Sequence, residues 1–398
     1  MGFHIATPEQ IRAGAVSDVY FQRTAAILDA KGGDAHVRAE FTAKSLPDGW
    51  EWAVFAGLAE VEHLLEGNEV NVRAMPEGEI FRALEPVLEI EGSYRAFGVY
   101  ETAVLGLICQ ASGIATRAAR CRLAAGPDRK LISFGARRMH PTLAPMIERA
   151  AYIGGCDGVA VVASAELLGI DPVGTIPHAL ILVMGDTILA TRAFDDVIDK
   201  KVPRIALIDT FTDEKFAAIE VMQALGDKIA ALRLDTPASR RGSFHDILDE
   251  VRWELDLRGY TDVDLFVSGG IDENAIRKLN PVADGYGVGT WISAAPVIDF
   301  SMDIVEIDGE PSAKRGKWSG AKQALRCVGC LEDDIVSLHQ ATQWPKVCPA
   351  CGSKVEALLS ETMQNGRPAR PQPEPGEIRD RTLGRLRGFE TDWEDEFQ

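Results

Sequence analysis

The chain reads as an α/β protein: a parallel, barrel-like sheet of β-then-α units, preceded by an α+β domain and followed by a small four-cysteine zinc-knuckle module. Three observations predict this. From about Leu131 to Ala294, short apolar runs each end in a polar or glycine-bearing corner and lead into a helix-like segment. Before them, strand-like runs alternate with Pro- and Gly-bearing turns. After them, four of the seven cysteines gather into two Cys-x-x-Cys pairs.

In the first part, Trp52–Phe55, Val70–Arg73, Val87–Ile90 and Phe97–Tyr100 predict strands, punctuated by Pro47-Asp48-Gly49, Pro76-Glu77-Gly78 and Glu91-Gly92. An Ala-, Leu- and Ile-rich helix follows from about Tyr100 to Ala125, stopped by Gly126-Pro127-Asp128. Residues 1–125 therefore form an N-terminal α+β domain with connecting helices, and 126–300 a barrel-like domain. Its predicted strands end at Ser133-Phe134-Gly135, Gly174-Thr175, Asp209-Thr210, Arg233-Leu234-Asp235, Ser268-Gly269-Gly270 and Gly287-Val288-Gly289-Thr290, with a further strand over Gly158–Ala163. Repeated β-then-α units make parallel strands, and functional groups in such barrels gather at the C-terminal strand ends, where these corners fall. Residues 301–325 read as a return segment to the first domain, with a hairpin-like Glu306–Glu310 and a basic stretch through Lys322. Residues 326–360 hold the cysteines, and 361–398, rich in Pro, Arg and Glu, read as a surface-hugging or partly ordered tail.

Composition narrows the function. With 398 residues and 46% hydrophobic content, the chain can bury a large core. A net charge of -18 argues against general nucleic-acid binding, because a phosphate backbone would be repelled over most of the surface. The first residues lack the blocks of a secretory signal, and no uninterrupted apolar run of about 18 residues stands out, so no membrane association and a cytoplasmic location are expected. Cys109, Cys121 and Cys156 sit singly in apolar surroundings and read as reduced buried thiols.

The cysteine segment is the strongest local signal. Cys327 and Cys330, then Cys348 and Cys351, have the two-residue spacers that turn paired sulfurs toward one point, and two such knuckles complete an S4 shell around a structural Zn2+. Disulfides, free thiols or a redox pair are the alternatives. Phe134, Arg137 and Arg138 share a corner suited to a flat ring and an anion, although paired arginines also make plain salt bridges. The corners with Ser268, Gly269 and Gly270, and with Gly289 and Thr290, resemble twin glycine loops that offer backbone N–H groups to a phosphate. Asp209 and Asp235 stand at strand ends, where carboxylates bind ribose hydroxyls or Mg2+, or merely cap helices. Asp195-Asp196 lacks the Thr-Thr-Gly loop of other pyrophosphate motifs and is set aside. His178, at the start of a helix-like run after Gly174-Thr175, stands where a nucleophile could take a phosphoryl group, or is a satisfied core histidine.

Taken in order, Ser17-Asp18-Val19-Tyr20-Phe21, Phe134-Gly135-x-Arg137-Arg138, Gly154-Gly155-Cys156-Asp157, Gly174-Thr175-x-x-His178, Leu207-Ile208-Asp209-Thr210 and Arg233-Leu234-Asp235 resemble the nicotinate phosphoribosyltransferase family, in its archaeal-type branch with a four-cysteine module. The resemblance spans essentially the whole chain. It implies an incomplete α/β barrel and ATP-coupled transfer of a phosphoribosyl group from 5-phosphoribosyl-1-pyrophosphate (PRPP) to nicotinate, with Mg2+ accompanying PRPP and ATP. It also implies roles: His178 phosphorylated by ATP; Phe134 and a Tyr20 from a neighbouring subunit sandwiching nicotinate; Arg137 and Arg233 holding its carboxylate or the pyrophosphate; Asp235 on ribose or Mg2+; Gly269, Gly270, Gly289 and Thr290 on the 5-phosphate. Such a shared site requires a homodimer or higher oligomer. Quinolinate phosphoribosyltransferase, which shares a stretch like Ser112–Arg117, nicotinamide as the base, and a scaffold with a dead barrel are the competing readings.

Overall fold

The computed structural model describes residues 3–239 and 242–389. They fold as two compact units, one built from 3–116 with 296–389 and the other from 117–239 with 242–295.

The second unit carries a six-stranded sheet in the order Gly158–Val159, Lys130–Ser133, Gly285–Val288, Asp264–Ser268, Ala231–Leu234, Ile205–Leu207. Every neighbouring pair is parallel. The strands are buried along nearly their whole length, with Leu131, Leu232, Leu234, Leu265, Val267, Tyr286 and Val288 in the core, as expected for a sheet covered by crossover helices. The ring does not close, giving the incomplete barrel. Its gap falls where the sequence suggests a strand ending at Gly174-Thr175. That stretch forms no strand and is tied to the neighbouring strand by a backbone bond from Val173 N–H to the Val159 carbonyl (2.8 Å). Pro172 and Pro177 bracket the run and supply no N–H donors, so only the four residues between them could extend a ladder. The strand expected over Gly158–Ala163 is likewise cut to two residues. The Glu148 carboxylate accepts from the N–H groups of Ala160 (3.2 Å) and Val161 (3.0 Å), and a helix starts at Val162.

The first unit is built on an antiparallel sheet in the order Glu310–Pro311, Phe300–Ile307, His36–Ala43, Pro86–Ser93, Val70–Ala74, Ser360–Gln364, Arg367–Pro368. Phe41, Leu88, Ile90, Val72 and Met363 lie in its core. The turn at Asp308-Gly309 has φ of 53° and 82°, the left-handed pair that a tight Asp-Gly hairpin requires. Phe97–Tyr100, expected as a strand, is helical: Tyr94–Phe97 forms a short α-helix and Gly98–Tyr100 a 3-10 turn leading into Glu101–Ala125. Tyr94 and Phe97 stack edge to face across one helical turn, centroids 5.9 Å apart, so the aromatic spacing is three rather than two.

The stretch Tyr94–Ala125 is long and apolar enough, by length and composition, to cross a membrane. Scanning for uninterrupted apolar runs passes over it because Glu101, Gln110 and Arg117 break it. Its Val104, Ile108 and Ile114 are buried within the protein, and Thr116 Oγ1 accepts from Val54 N–H at 2.9 Å, the pattern of a core helix. The C-terminal segment is more ordered than expected: it contributes two sheet strands and a helix, Pro375–Leu386, that buries Ile378, Thr382 and Leu386. Residues 390–398 of the expected tail lie outside the described residues.

Candidate active site

The parallel register sets the site. Leu207 pairs with Arg233, and Leu234 with Val267, so Asp209 and Asp235, just past their strands, and Ser268, the last residue of the third, arrive side by side. Arg233 alternates with buried Leu232 and Leu234, which turns its side chain to the opposite face of the sheet. Its guanidinium donates to Ser268 Oγ (3.0 Å), Thr175 Oγ1 (2.9 Å) and Asp235 Oδ2 (3.1 Å). Ser268 in turn donates to Asp235 Oδ1 (2.9 Å), and Asp209 Oδ2 accepts from the Asp235 N–H (3.0 Å). Four corners are thus locked into one polar network. The network fixes Asp235 in a single orientation.

Around it opens a cavity of 780 Å³ whose wall includes Phe134, Arg137, Arg138, Thr175, Arg233, Asp235, Ser268, Gly269, Gly270, Gly289 and Thr290. The Phe134 ring lies across Gly287, where an added Cβ would come within 2.2 Å of the ring, and Arg233 stands 5.4 Å from its centroid. Gly269 has φ of 88°, and a Cβ there would meet Asp235 Oδ1 at 2.8 Å, so glycine is needed both for the turn and for the close approach.

His178 sits beside this wall rather than among the lining residues. Its Nδ1 shares a hydrogen bond with Thr210 Oγ1 (3.0 Å), and its Nε2 faces Asp209 Oδ1 (3.7 Å) and Asp235 Oδ2 (3.8 Å). Its side chain is 39% exposed. Asp209 is 1% exposed and its Oδ1 has no hydrogen-bond partner. Burial pushes its carboxyl above the usual carboxylate range, with His178 opposing.

The fourteen candidate residues thus separate into three groups. Phe134, Arg137, Arg138, Thr175, Arg233, Asp235, Ser268, Gly269, Gly270, Gly289 and Thr290 line one cavity. His178 and Asp209 adjoin it through Asp235. Tyr20 belongs to the other unit, on the helix Val19–Lys31, with its side chain exposed. The sequence reading missed Arg117 and Trp291 as wall residues. The run Ser112–Arg117 was visible only as a resemblance, and nothing in a lone Arg or Trp signals a cavity.

In the first unit, the four sulfurs of Cys327, Cys330, Cys348 and Cys351 all lie within 4.8 Å of one another. Across the two knuckles, Cys327 meets Cys351 at 3.3 Å and Cys330 meets Cys348 at 3.6 Å, with no disulfide formed. A tetrahedral ZnS4 centre with Zn–S of about 2.3 Å would separate its sulfurs by about 3.8 Å, so the cluster fits with small adjustment. The N–H groups of Gly329 (3.3 Å) and Cys330 (3.5 Å) point at Cys327 Sγ, as suits a thiolate.

Comparison with known proteins agrees with this architecture. Residues 18–112 match the quinolinate phosphoribosyl transferase N-terminal domain and 114–303 its C-terminal domain. A nicotinate phosphoribosyltransferase of Mycobacterium tuberculosis is 33% identical over 313 residues, spanning 74% of this chain and 68% of its own. The human nicotinate phosphoribosyltransferase is 25% identical, over 93% of this chain and 82% of its own. Among solved structures, a nicotinate-nucleotide pyrophosphorylase from Pyrococcus furiosus superposes with a TM-score of 0.94 at 51% identity, covering 98% of this chain and 99% of that one. Human nicotinic acid phosphoribosyltransferase, at 21% identity, shares the fold with a TM-score of 0.75 over 94% of each chain. The chain belongs to the nicotinate phosphoribosyltransferase family of enzymes.

Proposed function

We propose that the protein transfers the phosphoribosyl group of PRPP to nicotinate, giving nicotinate mononucleotide and pyrophosphate, with ATP hydrolysis coupled through His178. The observation that carries the reading is the single cavity in which a ring-stacking Phe134, three arginines, the Arg233–Asp235–Ser268 network and two glycine corners face one another. Each piece has a task. Phe134 and Arg137 or Arg138 take the aromatic acid; the glycine corners take the 5-phosphate; Asp235 takes ribose hydroxyls. In the transfer, the pyridine nitrogen forms its bond to C1 as the C1–O bond to pyrophosphate breaks. Positive charge on the ribosyl centre and negative charge on the leaving group both grow, so a fixed carboxylate and a fixed guanidinium are the groups that lower the barrier.

For ATP coupling, one ring nitrogen of His178 would attack the γ-phosphorus, releasing ADP; water would later cleave the P–N bond and release phosphate. In support, Thr210 holds one nitrogen while the ring remains partly open. Asp235, with Asp209 Oδ1, which accepts no hydrogen bond, behind it, would offer oxygen donors to a Mg2+ ion beside substrate phosphates. That ion would draw charge from the departing pyrophosphate. We assign the four cysteines to a structural Zn2+, since all four positions are sulfur and none is left open for chemistry. A homo-oligomer that brings Tyr20 of one chain to the Phe134 of another follows from the family reading, and an intracellular, cytoplasmic setting suits thiols free of disulfides.

A second reading, quinolinate as the base, has in its favour that the matched domain families are those of quinolinate enzymes. Incubation with PRPP, Mg2+ and each base, with and without ATP, separates the two, because quinolinate transfer releases CO2 and nicotinate transfer does not. Nicotinate consumed faster with ATP, together with an acid-labile gain of one phosphoryl group on wild type but not on His178→Ala, is the expected result. Full ATP stimulation in His178→Ala would remove the phosphohistidine and leave the transfer standing. Metal analysis of the purified protein should find about one Zn2+ per chain, and none would defeat the zinc assignment.

A further inference from the structure

Arg117 holds a place that neither the glycine corners nor the carboxylate network explains. It lies on the cavity wall, yet its side chain is only 7% exposed. Two of its contacts bear on its place. Its Nη1 donates to Glu273 Oε1 at 3.4 Å, and its guanidinium carbon stands 4.1 Å from the centroid of the Trp291 ring. Glu273 directly follows the corner Ser268-Gly269-Gly270-Ile271-Asp272, and Trp291 directly follows Gly289-Thr290. Each phosphate-type loop therefore ends in a residue that grips the same guanidinium. Glu273 also receives Arg120 Nε at 3.3 Å, which anchors the carboxylate from the other side.

The physics of the two contacts differs in a useful way. Stacking on Trp291 engages the face of the guanidinium and leaves its in-plane N–H donors directed at acceptors around the edge. A cation held this way at low exposure acts through a weakly screened field on any anion in the same cavity. Backbone N–H groups of the glycine corners offer directed dipoles but no net charge, whereas a phosphate monoester carries close to two negative charges at neutral pH.

We propose that Arg117 is a substrate-binding residue for the 5-phosphate that PRPP and the mononucleotide product share, and that Glu273 and Trp291 are positioning residues that set it between the two loops. The inference deepens the proposed transfer and rests on it for the identity of the substrate. It also assigns the discrimination between phosphorylated and unphosphorylated ribosides to a residue on the long helix Glu101–Ala125 rather than to the sheet.

The test compares nicotinate mononucleotide with its dephosphorylated riboside by calorimetry, and measures the KM for PRPP and for nicotinate, in wild type, Arg117→Gln, Arg117→Lys and Glu273→Gln. Loss of a charge-assisted hydrogen-bonding partner should raise the PRPP KM of Arg117→Gln by about tenfold to a hundredfold. The nicotinate KM should stay within about twofold, and Arg117→Lys should recover part of the loss. Wild type should prefer the mononucleotide strongly over the riboside, Arg117→Gln should lose most of that preference, and Glu273→Gln should lose a smaller share. Circular dichroism and thermal melts check that each variant is folded, and if Arg117→Gln is not, the lysine variant carries the comparison. An unchanged phosphate preference in a folded Arg117 variant, or equal losses for both ligands, overturns the assignment. Because calorimetry needs no turnover, a wild type that binds mononucleotide but makes none from nicotinate would sink the transfer reading and leave the Arg117 result readable.

Discussion

Two arginines, each on a strand and each facing carboxylates, do opposite work in the two units. Arg326, in the strand Lys322–Cys327 beside the cysteine cluster, is 1% exposed and is the largest fully buried side chain among the described residues. It donates to Glu79 (2.9 Å), to both oxygens of Asp333 (2.6 and 2.9 Å) and to the Ile80 carbonyl (2.6 Å). Glu85 lies 3.6 Å away, and Arg82 and Arg385 complete the cluster through Asp333 and Glu79. Arg233, by contrast, shares its donors between two hydroxyls and one carboxylate and borders a cavity. A closed shell of charge makes a part of the fold that is costly to break. A half-open shell leaves capacity for a substrate. The difference teaches that what separates the two is whether the guanidinium is enclosed by the fold, as in Arg326, or borders a cavity, as in Arg233.

Breaking the closed shell should give the largest loss of stability. Arg326→Ala leaves several buried carboxylates facing one another, and urea denaturation should show about 3–5 kcal/mol lost. A loss under about 1 kcal/mol would mean that water or rearrangement replaces the guanidinium and that the shell is not closed. Breaking the half-open shell should act on rate instead. Asp235→Asn keeps the shape but removes the charge, and kcat/KM should fall by about a hundredfold to a thousandfold with the thermal midpoint nearly unmoved. A variant that melts early but turns over normally would reverse the comparison at this residue.

A smaller, pH-dependent effect sharpens it further. Burial, aided by the Asp333 charge and opposed by Arg326, pushes Glu85 up from 4.5 to about 8. A raised carboxyl pKa means the folded state holds its proton more tightly than the unfolded chain, so this contribution is fully present below about pH 4.5 and is lost as pH rises through about 8. Glu85→Gln stays neutral throughout. Between pH 5 and 8.5 wild type should therefore lose on the order of 1–3 kcal/mol relative to Glu85→Gln, read from urea midpoints at the two pH values. Parallel pH profiles would show that Glu85 ionises in the fold without cost.

Much of this was legible before any coordinates, and the pattern of what was not is physical. The parallel strands announced themselves because fully buried strands are short apolar runs, and their polar ends marked the cavity residues Asp235, Ser268 and Gly289. The cysteine cluster announced itself because two-residue spacers bring paired sulfurs together locally. The Gly174-Thr175 stretch reads as a strand because Val173 and Ile176 are apolar, yet it keeps a single ladder-like bond, from Val173 N–H to the Val159 carbonyl, between two prolines. Phe97–Tyr100 reads as a strand because Phe97, Val99 and Tyr100 form an apolar and aromatic run too short for helical and strand periods to differ. Arg117 stayed hidden because its role depends on Glu273 and Trp291, more than 150 residues away, meeting it in space. The helix over Pro375–Leu386 was hidden by its composition: Arg379, Arg381 and Arg385 suggest a solvated tail, yet Ile378, Thr382 and Leu386, each four residues on, form one buried stripe.

The central claim is the transfer of phosphoribose to nicotinate, and product stoichiometry tests it most directly. Purified protein given PRPP, Mg2+, ATP and isotopically labelled nicotinate should yield labelled nicotinate mononucleotide and pyrophosphate in a one-to-one ratio, with ADP formed alongside and no CO2 released. Unchanged nicotinate, with quinolinate converted and CO2 evolved in its place, would contradict it.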